Sequence, residues 1–486
     1  MFMKKILAVA LLVGCVNFAW AADAPTSFKF QFGPGSVAPG YTQVKADQLY
    51  DKDLGYGFEP GAGNVAPKID VVDRGGTDPL HSGFVTSGNL FKFSVKVPEG
   101  DYQVTVTLGD AKDESTTTVK AEQRRLMLER IHTTAGQFEK RTFLVSVRNP
   151  VLPDGTKIKL DVQEVDSQGN LTSLTWDDKL TLQFSDAKPA LCAVEIEPAQ
   201  KPITIFLASD STVTDQRGEP YGTWGQMLPR WFKPPVVIAN FAESGETLKA
   251  FRAEHRWDKI LSEIQPGDYV LLQFGTNDLN TGAGNNVHNG IWPADDHAGD
   301  WANTYVEGED YKNLLKQYAA EAKAKGAIPV IVSPMTKIDR QTGAINTAGL
   351  RNYPKDAIDA AKEAGIAYID LNAMSVQVWT ALGPLAPRGT VDGLHSNTYG
   401  GYLLSRCIVE GIKQNNFAVA KYLVDDAGVF DPQHPQPLPD DFKIPLEPSA
   451  RGGRGFGRGF GRGGPSAPTP PAASSPPAPT PAVPSQ

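Results

Sequence analysis

The chain has 486 residues, of which 41% are hydrophobic and 21% charged, with a formal net charge of -8. That length accommodates two or three domains that each bury a core, and the acidic balance gives no sign of a nucleic-acid partner. It leaves the charge of a substrate open, because a site can be locally basic.

At the N-terminus, Lys4 and Lys5 precede an apolar run from Ile6 to Val13 and then Ala19-Trp20-Ala21. This is the shape of an export signal, and its apolar part is too short to span a bilayer. Residues 1–21 are therefore expected to be removed from a secreted or periplasmic protein. Leu12-Val13-Gly14-Cys15 offers a rival reading, a lipoprotein box that would tether the chain to the cell surface at Cys15. The small and apolar residues that continue to Ala21 favour the soluble form. With Cys15 in the leader, Cys192 and Cys407 remain, and their separation favours two buried thiols over a disulfide.

Residues 22–198 read as strands and turns: Phe28 to Phe32, Leu90 to Val97, Tyr102 to Leu108, Arg141 to Val147, Lys157 to Val162 and Lys179 to Phe184. Period-two alternation and breaks such as Pro98-Glu99-Gly100-Asp101 predict an antiparallel β-sandwich. The run Val97 to Val106, with a closing strand from Ala190 to Glu197, resembles galactose-binding-like jelly-roll domains attached to polysaccharide enzymes. Trp176 and Tyr102 have two available roles, stacking on a sugar ring or filling the core, and the core is favoured.

After a short linker, Pro198 to Pro202, the run Ile203 to Ala208 is apolar apart from Thr204, as in a strand covered on both faces of a parallel sheet. It stops at Ser209-Asp210-Ser211-Thr212. Ligands in open α/β sheets bind beyond the carboxyl ends of strands, which is where this turn puts the Ser211 hydroxyl. The commoner role of such a cluster is to cap a helix. A second strand, Val236 to Ala242, ends at Glu243-Ser244-Gly245, and Leu248, Phe251, Trp257, Ile260 and Ile264 then share a helical spacing. A third strand begins at Asp268 and discharges into Gly275-Thr276-Asn277-Asp278. Helices over 310–325 and 354–364 and strands over 327–334 and 366–371 continue the alternation. The expected fold is α/β, a three-layer, doubly wound parallel sheet over residues 203–447, preceded by the sandwich.

The long insertion 280–306 carries His288, Trp292, His297 and Trp301. Its two histidines lack the tight spacing of a metal site, so it reads as a wall of the substrate cleft. Near the end, Asp392-Gly393-Leu394-His395 precedes a helix over 402–412. The three-residue spacing lets one turn present carboxylate and imidazole together, the pairing a general base needs.

Phe206-Leu207-Ala208-Ser209-Asp210-Ser211-Thr212-Val213, Gln273-Phe274-Gly275-Thr276-Asn277-Asp278 and Asp392-Gly393-Leu394-His395 together resemble the SGNH (GDSL-type) hydrolases, and within them the rhamnogalacturonan acetylesterase group. The resemblance implies Ser211 as nucleophile, His395 as base and Asp392 as the residue that orients it. It implies an oxyanion hole from the N–H groups of Ser211 and Gly245 and the Asn277 amide, with no metal or cofactor. There are departures: Ser209 replaces the usual glycine, Glu246-Thr247 replaces Arg-Ser, and Thr276 replaces His. These leave the triad intact and loosen the link to rhamnogalacturonan.

From residue 448 to 486 a Gly/Arg/Phe run and then Pro, Ala, Ser and Thr cannot form a core, so the tail is expected to be disordered. The sequence thus predicts a secreted carbohydrate esterase that deacetylates plant cell-wall polysaccharide, with no nucleic-acid partner and no membrane span. Two alternatives remain: an esterase for xylan or lipid esters, and a carbohydrate-binding surface protein whose hydrolase has decayed. The polar insertion speaks against lipid, and the complete set of site residues against decay.

Overall fold

β-branched and aromatic residues at alternate positions, as in Phe28-Lys29-Phe30-Gln31, set one face of each N-terminal strand against a shared core. The computed structural model describes residues 26–61, 65–160, 173–278 and 305–447. The leader with Cys15, most of the 280–306 insertion including its histidines and tryptophans, and the 448–486 tail lie outside these described residues.

The sandwich strands are β1 (Phe28–Gln31), β2 (Thr42–Gln43), β3 (Tyr56–Phe58), β4 (Asp70–Asp73), β5 (Gly83–Thr86), β6 (Phe91–Lys96), β7 (Gly100–Gly109), β8 (Ser115–Ala121), β9 (Arg125–Thr133), β10 (Phe138–Val147), β11 (Lys179–Lys188) and β12 (Leu191–Pro198). One sheet runs β10-β7-β12-β1-β2, with β5 and β4 attached through β12, and the other runs β3-β6-β11-β8-β9. All pairings are antiparallel except β1 with β2. Phe32 and Phe58 pack on Phe93 between the sheets, at centroid distances of 5.0 and 5.7 Å.

Tyr102 belongs to this core, and its hydroxyl donates to the Pro98 carbonyl at 2.8 Å. Trp176 is also buried, but against Phe241 of the hydrolase part, at 5.3 Å. Neither ring is offered to a sugar. Cys192 and Cys407 are buried free thiols, and burial pushes both thiols up.

Two features of this region differ from the sequence reading. Lys157 makes only a bridge to Val151, and no strand forms over 158–160. The chain turns at Asp154-Gly155, Ile158 enters the hydrolase core, and the Lys159 N–H donates to the Glu254 carbonyl. Conversely β8 and β9 carry no clean apolar alternation, because they bury polar groups such as Thr117, Thr118 and Lys120.

The parallel sheet comprises β13 (Ile203–Ser209), β14 (Val236–Asn240), β15 (Tyr269–Gln273), β16 (Ile328–Val332) and, after a small hairpin of β17 (Lys337–Ile338) and β18 (Ile345–Asn346), β19 (Ala367–Ile369). Its order is β14-β13-β15-β16-β19. β13 explains its own unbroken apolar run: Ile205 and Leu207 enter one core, Phe206 and Ala208 the other. The first core is closed by α1 (Trp224–Met227), α6 (Leu371–Leu382) and α7 (Thr398–Gln414). The second is closed by α2 (Leu248–Ala253), α3 (Arg256–Glu263), α4 (Gly308–Ala324) and α5 (Tyr353–Ala364). Sandwich and parallel sheet belong to one compact unit.

Local chemistry shifts two boundaries. The helical stretch from Leu248 breaks into α2 and α3 at His255, which is left-handed at φ 62°. β19 stops at Ile369 because the Asp370 side chain accepts the Ala373 N–H and starts α6 there.

Candidate active site

The chain leaves β13 in a tight turn. Asp210 Oδ1 accepts the Thr212 N–H at 2.9 Å and the Thr212 hydroxyl at 2.8 Å, an Asx-type bond that fixes the residue between them. That residue is Ser211. It caps no helix, since the next helix, α1, is capped by Thr223. Its Oγ lies 2.9 Å from His395 Nε2, and His395 Nδ1 lies 2.8 Å from Asp392 Oδ2.

Asp392 is held in turn by its own loop, its Oδ1 accepting the N–H groups of Leu394 at 3.0 Å and His395 at 2.8 Å. Burial raises this carboxyl, but the His395 hydrogen bond and charge and the two backbone donors outweigh it and hold it at about 2. Asp392 is thus an anion throughout the working pH range. Between the pair, Gly393 sits at φ 90°, where a Cβ would come within 2.3 Å of the Ile338 carbonyl oxygen. Unlike the turns after the three preceding strands, this fourth turn does not follow a strand. It lies between a 3-10 segment, Gly383–Gly389, and α7, whose first turn is capped by Asn397. The last strand of the sheet ends at Ile369, and His395 is carried by the loop that leads into α7.

The two flanking turns do leave strand ends. Gly245 follows β14 at φ 86°, and Asn277 follows β15. Since β14 and β15 are the two neighbours of β13, both turns flank the one that carries Ser211. The Asn277 amide donates to the Glu246 carbonyl at 3.0 Å, tying these two turns together. An amide nitrogen carries two hydrogens, so this bond orients the group and leaves the second for a ligand.

The structure accounts for the departures near the site. Ser209 Oγ donates to the Gln273 carbonyl at 2.5 Å, joining the ends of β13 and β15, a bond no glycine can make. Ser209→Ala is expected to cost about 0.5–1.5 kcal/mol of stability, read as a lowered midpoint in urea with an unchanged slope. An unchanged midpoint would remove this account. Thr247 caps α2 by accepting the Ala250 N–H, and the buried Glu246 side chain faces Arg256 at 3.7 Å. Burial and the neighbouring Glu254 push the Glu246 carboxyl well up.

Sequence reasoning missed Asp278. Its two oxygens accept the N–H groups of Leu248 and Gly275, each at 2.9 Å, so one buried carboxyl braces both flanking loops. Burial raises it most, the backbone donors lower it, Asp210 raises it again, and it settles at about 7. The native chain therefore holds this proton more tightly than an unfolded one, whose aspartate titrates near about 3.9. The stability it contributes is present below about pH 4 and is lost as pH rises toward about 7. Asp278→Asn is expected to flatten that part of the Tm against pH curve, measured by thermal unfolding between pH 4 and 8. An unchanged slope would refute the assignment.

Beyond the ends of β16 and β19 lies a cavity of about 490 Å³, lined by Thr336, Asn346, Arg351, Asn352, Lys355 and Asn372. It adjoins the site through β17, whose Ile338 N–H donates to the Gly393 carbonyl at 2.8 Å.

A doubly wound parallel sheet with a serine, an Asn-bearing turn and an Asp-x-x-His turn at one edge defines the SGNH class of hydrolases. The chain belongs to the GDSL-like lipase/acylhydrolase family, whose profile matches residues 209–401, and it is a carboxylic ester hydrolase. Residues 28–149 match the galactose-binding domain-like profile of β-agarase/YXIM esterase-like proteins. The esterase YxiM of Bacillus subtilis is 28% identical over 435 residues, covering 85% of this chain and 97% of that protein. The rhamnogalacturonan acetylesterase RhgT of Bacillus subtilis is 30% identical over 250 residues, covering 47% of this chain and 97% of that protein. A crystal structure of YxiM aligns with 81% of this chain and 99% of that one, at 26% identity and a TM-score of 0.40.

Proposed function

We propose that this hydrolase is an exported carbohydrate acetylesterase acting on acetylated pectic polysaccharide, with rhamnogalacturonan as its main substrate. The observation that carries the reading is the continuous line Ser211–His395–Asp392, at 2.9 and 2.8 Å. In the proposed reaction Ser211 Oγ attacks the acetyl carbonyl while His395 Nε2 takes its proton and Asp392 stabilises the imidazolium. The N–H groups of Ser211 and Gly245 and the Asn277 amide receive the negative charge that develops on the carbonyl oxygen. Collapse of the tetrahedral intermediate breaks the ester bond, and His395 returns the proton to the departing sugar oxygen. Water, deprotonated by His395, then attacks the acetyl group on Ser211, the bond from Oγ to the acetyl carbon breaks, His395 returns the proton to Oγ, and acetate leaves. No step asks for a metal or an organic cofactor.

Support for the substrate comes from the acetylesterase named among the relatives and from the cavity beside the Asp392–His395 turn. Its asparagine and threonine side chains offer the hydrogen-bonding groups that a hydroxylated chain uses. Support for export comes from the Lys4 to Ala21 leader. Among the described residues no helix is long and apolar enough to cross a membrane.

The test is acetate release from acetylated rhamnogalacturonan, xylan and homogalacturonan, side by side, with an aryl acetate as a small substrate. Release chiefly from rhamnogalacturonan is expected. Preference for xylan would move the substrate and keep the mechanism. Failure on all four would end the esterase reading in favour of a binding protein. Mass spectrometry of the exported protein checks the leader, with a free N-terminus after Ala21 expected and a lipid on Cys15 as the contrary result.

A further inference from the structure

The turn between β8 and β9, Glu122-Gln123-Arg124-Arg125, is the tip of a sandwich hairpin, a place that is normally wet. Here all four residues are buried, the two arginines to 2% and 4% exposure, and Glu122 and Arg124 are left-handed at φ 51° and 67°. Burying two guanidinium groups is costly unless each is paired and fully hydrogen-bonded. Arg124 finds its partners in the hydrolase part, whereas Arg125 is shared between Asp215 there and the Ser146 carbonyl of β10, at 2.9 Å.

Arg124 Nη1 donates to the carbonyls of Gln216, at 3.2 Å, and Tyr221, at 2.8 Å. Its Nη2 is ion-paired with Glu219 and reaches Thr398 Oγ1 at 3.3 Å, while Nε meets Glu447 at 3.1 Å. Arg125 Nε donates to Asp215 at 2.6 Å, and Gln123 Nε2 to the Arg217 carbonyl at 3.2 Å. The turn thus grips, almost residue by residue, the loop 215–221 that follows Ser211.

That loop touches both reacting groups. Gln216 Nε2 donates to the Ser211 carbonyl at 2.9 Å, and the Tyr221 ring stands edge-on to His395 with centroids 6.0 Å apart. The Gly222 N–H donates to the Ser396 carbonyl, and Ser396 Oγ returns a bond to the Gly222 carbonyl at 2.7 Å. Thr398, the other end of the Arg124 fork, is the first residue of α7, three positions after His395. Ser211 and His395 are 184 residues apart in sequence, so only tertiary contacts fix their separation.

We propose that Arg124 is a positioning residue for the Ser211–His395 pair, and that the sandwich is part of the active-site frame. This rests on the serine-esterase reading of those two residues. The planar fork holds the loop after the serine and the helix after the histidine at one fixed spacing. Lysine, a single point charge, cannot reach both sets of acceptors.

The test uses the full chain and an aryl acetate, too small to need a glycan subsite. Arg124→Lys is expected to lower kcat per active site, titrated with a serine-reactive phosphonate, by about tenfold to a hundredfold, with KM unchanged. A purely structural role would lower Tm while leaving kcat per titrated site at the wild-type value, and kcat within twofold of wild type would overturn the proposal. If Arg124→Lys does not fold, Thr398→Val tests the Arg124–Glu219–Thr398 cluster as a unit, since it removes the α7 end, including the Thr398 Oγ1 bonds to Glu219 at 2.9 and 3.1 Å, without removing a charge. A several-fold fall in kcat is then expected, and an unchanged kcat overturns the proposal. Failure of the esterase reading itself would show separately, as full activity in Ser211→Ala.

Discussion

Ser211→Ala is expected to lower kcat for an aryl acetate by about a millionfold, the scale seen when the nucleophile of a serine hydrolase is removed. The hydroxyl's side-chain bond is the one to His395 Nε2, on an imidazole that keeps 25% of its surface exposed. Water can replace it, and no buried donor or acceptor is stranded. The turn itself is held by Asp210 and Thr212, which the substitution does not touch. Tm is therefore expected to stay within a degree or two, about the noise of a neutral surface change. Steady-state kinetics with the aryl acetate and a thermal scan make the measurement, and the phosphonate should label wild type but not the variant. Near-full activity in the alanine form would remove the mechanism.

Asp392→Asn is expected to cost about four orders of magnitude in kcat while leaving KM nearly unchanged. The reason is geometric. Oδ1 is pinned by two backbone donors, the N–H groups of Leu394 and His395, so an asparagine must keep its oxygen there. Its Nδ2 then faces His395 Nδ1, where Oδ2 stood at 2.8 Å. A donor at that position selects the imidazole tautomer with the proton on Nε2, the nitrogen that must accept from Ser211. The loss should be nearly independent of pH between 6 and 9, because it reflects a tautomer and not a titration. A loss below about tenfold would show that Asp392 does not orient the imidazole.

The parts of the fold legible in sequence are those where burial on one or two faces dictates the residues. β13 carries no charge because both its faces are covered, and the same holds for β14 and β15. The helices α4, α5 and α7 follow from their apolar spacing. β8 and β9 were hidden because they bury Thr117, Thr118, Lys120 and Arg125 among their apolar residues, side chains a hydropathy pattern assigns to solvent. The start of α6 was hidden because Asp370, a capping residue, also looks like the polar end of a strand. At the site, Ser211, Gly245, Asn277, Asp392 and His395 were all visible as polar turns between apolar runs. The bracing role of Asp278 and the part played by Arg124 were not, since neither carries a pattern until its partners are known.

By itself the sequence determined the alternation of strands and helices, the two-part organisation and the polar turns that carry the proposed site residues, because these are local consequences of hydrophobic period and turn chemistry. Only the tertiary structure decided that Ser209 joins β13 to β15, that one carboxyl braces both flanking loops, and that a sandwich hairpin grips the loop behind the serine. Each of these includes a buried polar contact between residues thirty or more positions apart. Such contacts form where burial removes water as a competing partner, and which distant groups meet there is set by the packing of whole elements.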